Sequence, residues 1–556
     1  MPKTSPGGWG ADFAASSSIL CLRVSSLMFC SRGMLRPLPS SALLERSGPP
    51  RRAAFSLVIV CALLFASAAH GAKRANSLSR QIDAILRVSH AEGGFWGIEV
   101  VRLSDGEILY ARNSRRLFLP ASNMKLFTTA AALSTLGPNF IFKTTVESSA
   151  PPDPEGRVPD LTIVGRGDPN LGSRVLPYQF NSAPRIPADQ DFANLADQIA
   201  AKGVREVTGN LYADDTYYVN EPYGTGWAAD DLEWDYGAPI TALAFNDNSL
   251  QLEIQPAASP GAKARILLDP PDAYYRIVDN VETTPSDNPA KVEVNRFPGS
   301  MELDVWGHVP AGSDKVDEGI SIQNPPQYIG EMFRMLLDQR GVKVGGHVVV
   351  RELSQAEAGR QSALQKAEHR FVLAEHDSLP LREDIKVTLK VSQNLHAEML
   401  LRTMSRVLNN KGSAEDGLNI LNNFAQKVGI FPDEVRFADG CGLSRQTLVT
   451  PDALIKLLEF MSREPYFQPF YDALPVAGID GTLGDRFQHS ILKGRIHAKT
   501  GSMEYVNALS GYMDLPGRRR LAFVIIGNHQ PLHWKEATEV VDRIAMEIYR
   551  HYARAR

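Results

Sequence analysis

The spacing of apolar residues changes period several times along this chain, and each change marks an element. Ser77–Ala91 carries apolar residues at helical spacing. Phe95–Ala111 alternates and turns at Ser104-Asp105-Gly106, which predicts a hairpin. The apolar run Leu117-Phe118-Leu119 stops at Pro120, and Met124, Phe127, Ala130, Ala131 and Leu133 then form one helix face. From about Pro151 the texture becomes short strands and turns. Strands are predicted at Gly209–Tyr218, Ser249–Gln255, Ala264–Asp269, Lys291–Phe297 and Met301–His308. A helix over Pro326–Arg340 ends at Gly341, and the polar stretch Arg351–Glu368 reads as a loop. Leu395, Met399, Leu400 and Met404 form another helix face. Strands at Ile491–Ser502, Ala508–Leu515 and Leu521–Gly527 follow, the last two joined by Pro516-Gly517. An amphipathic helix over Trp534–Tyr552 closes the chain, and no internal repeat is present.

Three short motifs fall at the edges of these elements: Ser122-Asn123-Met124-Lys125, Ser392-Gln393-Asn394 and Lys499-Thr500-Gly501. In the first, serine and lysine three apart share one helix face, so the amine can approach the hydroxyl. A neutral amine can then act as a base, and burial beside a second lysine favours that neutrality. The Ser122 N–H lies in the first helical turn, where amides lack helical acceptors. Alone, the motif is far more often a helix start with an exposed lysine. In the second, Ser392 and Asn394 are two apart in an extended turn and can reach one cavity. A hydroxyl there relays a proton, and an amide there holds a substrate backbone; alone, both residues equally cap the next helix. In the third, Lys499 offers a cation, Thr500 a hydroxyl and Gly501 a bare strand edge for a substrate. Ser502 offers a backbone N–H to an oxyanion.

This ordered triplet resembles that of penicillin-binding proteins and serine β-lactamases. About 270 residues separate Ser122 from Ser392, a gap that implies a large insertion. The chain is therefore similar to the D-alanyl-D-alanine carboxypeptidase/endopeptidase family, the type-4 low-molecular-mass penicillin-binding proteins. Further strings carry the likeness: Leu161–Leu171 with its Gly-Asp-Pro, Trp227–Asn248, Asp439–Arg445, Leu474–Leu483 and His497–Ser502. Cys441 stands where that family usually has serine. The Phe245–Asn248 stretch falls where an acidic residue can meet a substrate's diamino-acid side chain.

The resemblance implies an α+β fold: a β-lactamase/transpeptidase-like domain, an antiparallel sheet of about five strands flanked by helices, with a large β-rich insertion between the first two motifs. That domain is expected at 76–147 and 366–556, and the insert at 148–365, in two subdomains. The implied activity is serine-type D-Ala-D-Ala carboxypeptidase, and endopeptidase, on peptidoglycan stem peptides, with penicillins and other β-lactams as acylating inhibitors. Ser122, Lys125 and Ser392 are then catalytic. Asn394, Lys499, Thr500, Gly501 and Ser502 bind substrate. A β-lactamase would use the same residues, but the insert argues against it. A wall-binding protein with a vestigial site would have lost a motif residue.

Net charge of −4 over 556 residues gives no nucleic-acid surface. Arg51-Arg52 followed by the uncharged run Ala53–Ala69 predicts a leader over 1–72, hence export to the periplasm or cell-wall space; Met28 and Met34 are alternative starts. Cys21, Cys30 and Cys61 lie in that leader, which leaves Cys441 alone and no internal disulfide. No Cys/His spacing suits zinc, so no catalytic metal and no cofactor are expected. Peripheral membrane contact and a homo-oligomer stay open.

Overall fold

Strands from the two ends of the chain meet in one sheet whose residues alternate between two cores. The computed structural model describes residues 77–554 apart from 186, 270–273, 298 and 362–369. The expected leader lies outside the described residues. A helix α1 over 77–88 precedes the hairpin β1 (Phe95–Arg102) and β2 (Glu107–Arg112). After a single 3-10 turn, Ala121–Asn123, comes α2 (Met124–Thr135).

The next stretch is β-rich. Strands β3 (Lys143–Ser148) and β4 (Leu161–Val164) lead to helix α3 (Gln190–Ala201) and β5 (Leu211–Val219). Then come β6 (Ser249–Gln255), β7 (Arg265–Asp269), β8 (Arg276–Thr284), β9 (Lys291–Asn295), β10 (Glu302–Pro310) and β11 (Val316–Ser321). Helix α4 (Pro325–Asp338), β12 (Val348–Leu353) and β13 (Phe371–Asp377) complete it. Strands β12-β5-β4-β3-β13 form a five-stranded mixed sheet, and β8-β10-β9 and β11-β6-β7 form two three-stranded sheets. The two outermost strands of this stretch in sequence, β3 and β13, pair antiparallel, with Thr145 opposite Glu375. Both therefore lie in the five-stranded mixed sheet, β3 across residue 147 and β13 beyond residue 366. One cluster of buried side chains runs through these sheets, from Val146 to Ala374. Where a loop is expected from Arg351, Arg351–Leu353 finish β12 and Gln355–Gln361 form a short helix.

The remainder is helical, then β. Helix α5 (Leu381–Lys386) runs into a π-turn, Val387–Val391, followed by α6 (Asn394–Asn409) and α7 (Ala414–Val428). Helices α8 (Pro451–Met461) and α9 (Phe467–Ala473) precede β14 (Ile496–Met503), β15 (Val506–Leu515), β16 (Arg519–Asn528) and α10 (Trp534–Ala553). The order β14-β15-β16-β1-β2 is antiparallel throughout. Period-two alternation sends Ala522, Val524 and Ile526 of β16 to the core shared with α2, α7 and α8. Leu521, Phe523 and Ile525 face the other core, with α1 and α10. Hence five strands with helices on both faces, as expected, with the Lys499 strand at one edge.

Because Phe523 is fully buried in the second core, Phe523→Ala is expected to cost about 3–5 kcal/mol, read as a lower denaturant midpoint at constant m-value.

Candidate active site

Ser122 stands in a bend that the chain would not adopt unaided. Ala121 just before it has φ +46°, a left-handed conformation that costs an ordinary residue energy and recurs at functional sites. The 439–445 loop packs against that bend, since a Cβ on Gly442 would fall 2.0 Å from the Ala121 carbonyl oxygen. One turn on, the Lys125 Nζ lies 2.8 Å from Ser122 Oγ, 2.6 Å from Asn394 Oδ1 and 3.0 Å from the Cys441 carbonyl. Three acceptors match the three donors of an ammonium group.

The second motif begins where the π-turn ends. Ser392 itself has φ +69°. Gln393, not Ser392 or Asn394, caps α6, its side chain accepting from the Leu395 N–H. That leaves the Ser392 hydroxyl and the Asn394 amide free to turn into the cleft. Ser392 Oγ accepts from Lys499 Nζ at 2.8 Å, and Asn394 Nδ2 donates to the Tyr236 carbonyl at 2.8 Å. All three motifs therefore meet in one cleft. Asn394 bridges the first two, and Ser392 joins the second to the third.

Strand β14 presents the third motif along its outer edge. Ala498 N–H donates outward to the Pro475 carbonyl, so the two-residue period turns the Thr500 and Ser502 amides the same way. Thr500 Oγ1 meets Thr482 Oγ1 at 2.7 Å. Gly501 has a different reason from the one its motif suggested. A Cβ there would lie 2.7 Å from both the Asn123 amide and the Pro120 carbonyl. The glycine lets β14 close onto the turn that carries Ser122.

Electrostatics divides the two lysines. Both are fully buried, and burial holds each below the ordinary lysine range. Asp439 and Glu398 oppose that shift at Lys125. No carboxylate opposes it at Lys499, where Lys125 adds to the depression. The free site thus resists holding two ammonium ions, and Lys499 is the one less supported.

Several residues at the site carried no motif. Glu398 accepts from the Gly440 and Cys441 amides, and Asp439 from the Gly442 and Ser444 amides. Together they aim the Cys441 carbonyl at Lys125. Lys390 Nζ binds both Asp480 oxygens, at 2.8 and 2.7 Å, and pins the π-turn. His396 is buried between Asp384, at 2.6 Å, and Asp247, at 2.9 Å. Asp247, from the stretch expected at the substrate lip, also pairs with Arg174. Its carboxylate is spent inside the protein. Burial disfavours the His396 cation, but the two carboxylates outweigh it and raise its pKa to about 9. Of these groups, Asp247, Asp439 and Asp480 left a trace in the sequence, through the likeness of the Trp227–Asn248, Asp439–Arg445 and Leu474–Leu483 strings.

A model of the D-Ala-D-Ala carboxypeptidase 3 (S13) family matches residues 78–548. The chain belongs to this family. A D-alanyl-D-alanine carboxypeptidase of Actinomadura sp. (strain R39) is 34% identical over 466 residues, 82% of this chain and 81% of that protein. The penicillin-sensitive carboxypeptidase A of Dictyostelium discoideum is 26% identical, over 82% of this chain and 87% of its own. Among solved structures, penicillin binding protein 4 of Haemophilus influenzae shares the fold, with a TM-score of 0.71. It is 23% identical, covering 85% of this chain and 99% of that one.

Two expectations follow from the geometry. Gly501→Ala should slow acylation roughly 10–100-fold by holding β14 off the nucleophile turn, with little change in circular dichroism. His396 has a folded pKa of about 9 against an ordinary 6.5, so its contribution to stability is full below pH 6.5 and is lost as pH rises through 9. Melting curves of His396→Gln should lack that alkaline decline and should lie below wild type at pH 6.

Proposed function

We propose that this protein is a serine D-Ala-D-Ala carboxypeptidase, and endopeptidase, that cleaves peptidoglycan stem peptides through an acyl-enzyme on Ser122. The observation that carries the reading is one nitrogen: Lys125 Nζ, buried, 2.8 Å from Ser122 Oγ and 2.6 Å from Asn394 Oδ1. The neutral amine takes the Ser122 proton as Oγ attacks the penultimate D-alanine carbonyl. The amides of Ser122 and Ser502 receive the oxyanion. As the C–N bond breaks, a proton passes through Ser392 to the leaving amine. Water then adds to the ester, returning the proton to Ser122 and releasing the shortened peptide. Asn394 holds the peptide backbone.

Lys499 and Thr500 bind the terminal carboxylate. With the site empty, burial and Lys125 disfavour the charge on Lys499. A bound carboxylate restores that charge by pairing with it. The leaving group is D-alanine in the carboxypeptidase reaction and a second stem peptide in the endopeptidase reaction. A penicillin offers a carbonyl and a carboxylate in the same arrangement and acylates Ser122.

Peptidoglycan lies outside the cytoplasmic membrane, which supports action in the periplasm or cell-wall space and agrees with the leader expected from the sequence. No helix among the described residues is long and apolar enough to cross a membrane. We divide the chain into a peptidase domain, up to about residue 142 and from about 378, and an insert between them.

Fluorescent penicillin should label the wild type persistently and Ser122→Ala not at all; a label lost quickly by turnover would instead indicate a β-lactamase, and no label on the wild type would defeat the assignment. Because Lys125 must be neutral, kcat/KM for D-alanine release should rise with pH, through an apparent pKa below the ordinary lysine value of 10.5. Lys125→Arg, charged at every accessible pH, should lose at least ~1,000-fold at all of them.

A further inference from the structure

A cavity of about 480 Å³ opens beside the third motif, and the mechanism for D-alanine release makes no use of it. Its near wall is the peptidase domain: Lys390 and Val391, which lead into Ser392, with Gly481 and Thr482. Its far wall is the insert, from the loop 169–184 and the turn at Asn246-Asp247. The two walls are fastened together. Tyr178 of the loop and Gly481 line the same cavity, and a Cβ on Gly484 would fall 2.3 Å from the Phe180 ring.

The cavity lies on the leaving side of the reaction. Thr482, on its wall, shares a hydrogen bond with Thr500, the residue assigned to the leaving residue's carboxylate. Val391, also on the wall, adjoins Ser392, the residue assigned to protonating the leaving amine. A single D-alanine ends at that rim. Space on the scale of a small-molecule site serves only a leaving group that continues past it. The lining is polar: Asn170, Ser173 and Asn246 bond to Asp384, Asn246 and Ser249, and Gln251 stands beside them. Arg174 gives Asp247 one N–H of its five and stays a quarter exposed, so it can also meet a carboxylate.

Resting on the proposed function, we infer that this cavity binds the peptide attached to the leaving amine when the substrate is a cross-link between two stem peptides. The ligand class is a short polar peptide bearing carboxylates, with Arg174 as its fixed cation. The site adds nothing to D-alanine release and makes the protein an endopeptidase.

The test compares two substrates on the full chain: a cross-linked muropeptide dimer and a monomeric pentapeptide. Gln179 and Gln251 line the cavity and have been given no contact with the catalytic groups. Gln179→Trp and Gln251→Trp should each lower dimer cleavage tenfold or more, while D-alanine release and penicillin labelling stay within twofold of wild type. Dimer cleavage within twofold of wild type in both variants would overturn the inference. So would a parallel fall on both substrates in both variants, or a wild type that releases D-alanine but never cleaves the dimer. A wild type that neither takes the penicillin label nor releases D-alanine would fail the Ser122 assignment instead, so the two failures read differently.

Discussion

One buried amine dictates where three parts of the chain must stand. Lys125 Nζ is out of solvent, and it donates to a hydroxyl on its own turn, an amide on α6 and a carbonyl in the 439–445 loop. A buried ammonium group without partners is costly, and the alternative is loss of its proton. The protein holds both options close. Three acceptors support the charge, and burial opposes it. Moving α6 or the loop would strip an acceptor and settle the balance one way. The same contacts that make the amine poised also make the cleft rigid.

That poise is maintained by strain held from outside. Ala121 and Ser392 both adopt left-handed backbone that their side chains disfavour. Neither bend is stabilised by its own sequence. Gly442 fits against the Ala121 carbonyl, and any side chain there would collide with it. The Lys390–Asp480 pair and the Leu474 carbonyl, 2.7 Å from Lys390 Nζ, tie the π-turn that ends at Ser392. The cost of aiming two serines into one cleft is thus met by residues far along the chain.

This explains what the sequence could reveal. Strands such as β15 and β16 are legible because alternation is a local property, and the three motifs because each keeps its chemistry within four residues. The edges of the insert are not. Strands β3 and β13 pair across more than 220 residues, and nothing near Thr145 announces Glu375. The Cys441 contribution is a backbone carbonyl, so no side chain could signal it, and the family's usual serine could supply it equally. Gly501 was legible as a glycine but not for its reason, since its neighbours Asn123 and Pro120 come from the other end of the chain. The Asp247 carboxylate looked available to a ligand because Arg174 and His396 lie far from it in sequence.

The insert is more than an appendage on a self-sufficient enzyme. Tyr236 supplies the carbonyl for Asn394 Nδ2. Trp227 Nε1 donates to Asp439 at 3.2 Å, and Arg445 pairs with Asp231 at 2.9 Å. Asp247 supplies one of the two carboxylates around His396, three residues before the buried Met399 and two after Asn394. The start of α6 and the 439–445 loop are therefore held partly from residues 227–247. Deleting it would strip His396 Nε2 of its buried partner and leave Asp439 without its indole. Buried ionic groups deprived of one partner cost more than the pair contributed. The large insertion and the serine site consequently form one energetic unit, and a smaller enzyme of this chemistry must rebuild those contacts rather than merely lose the insert.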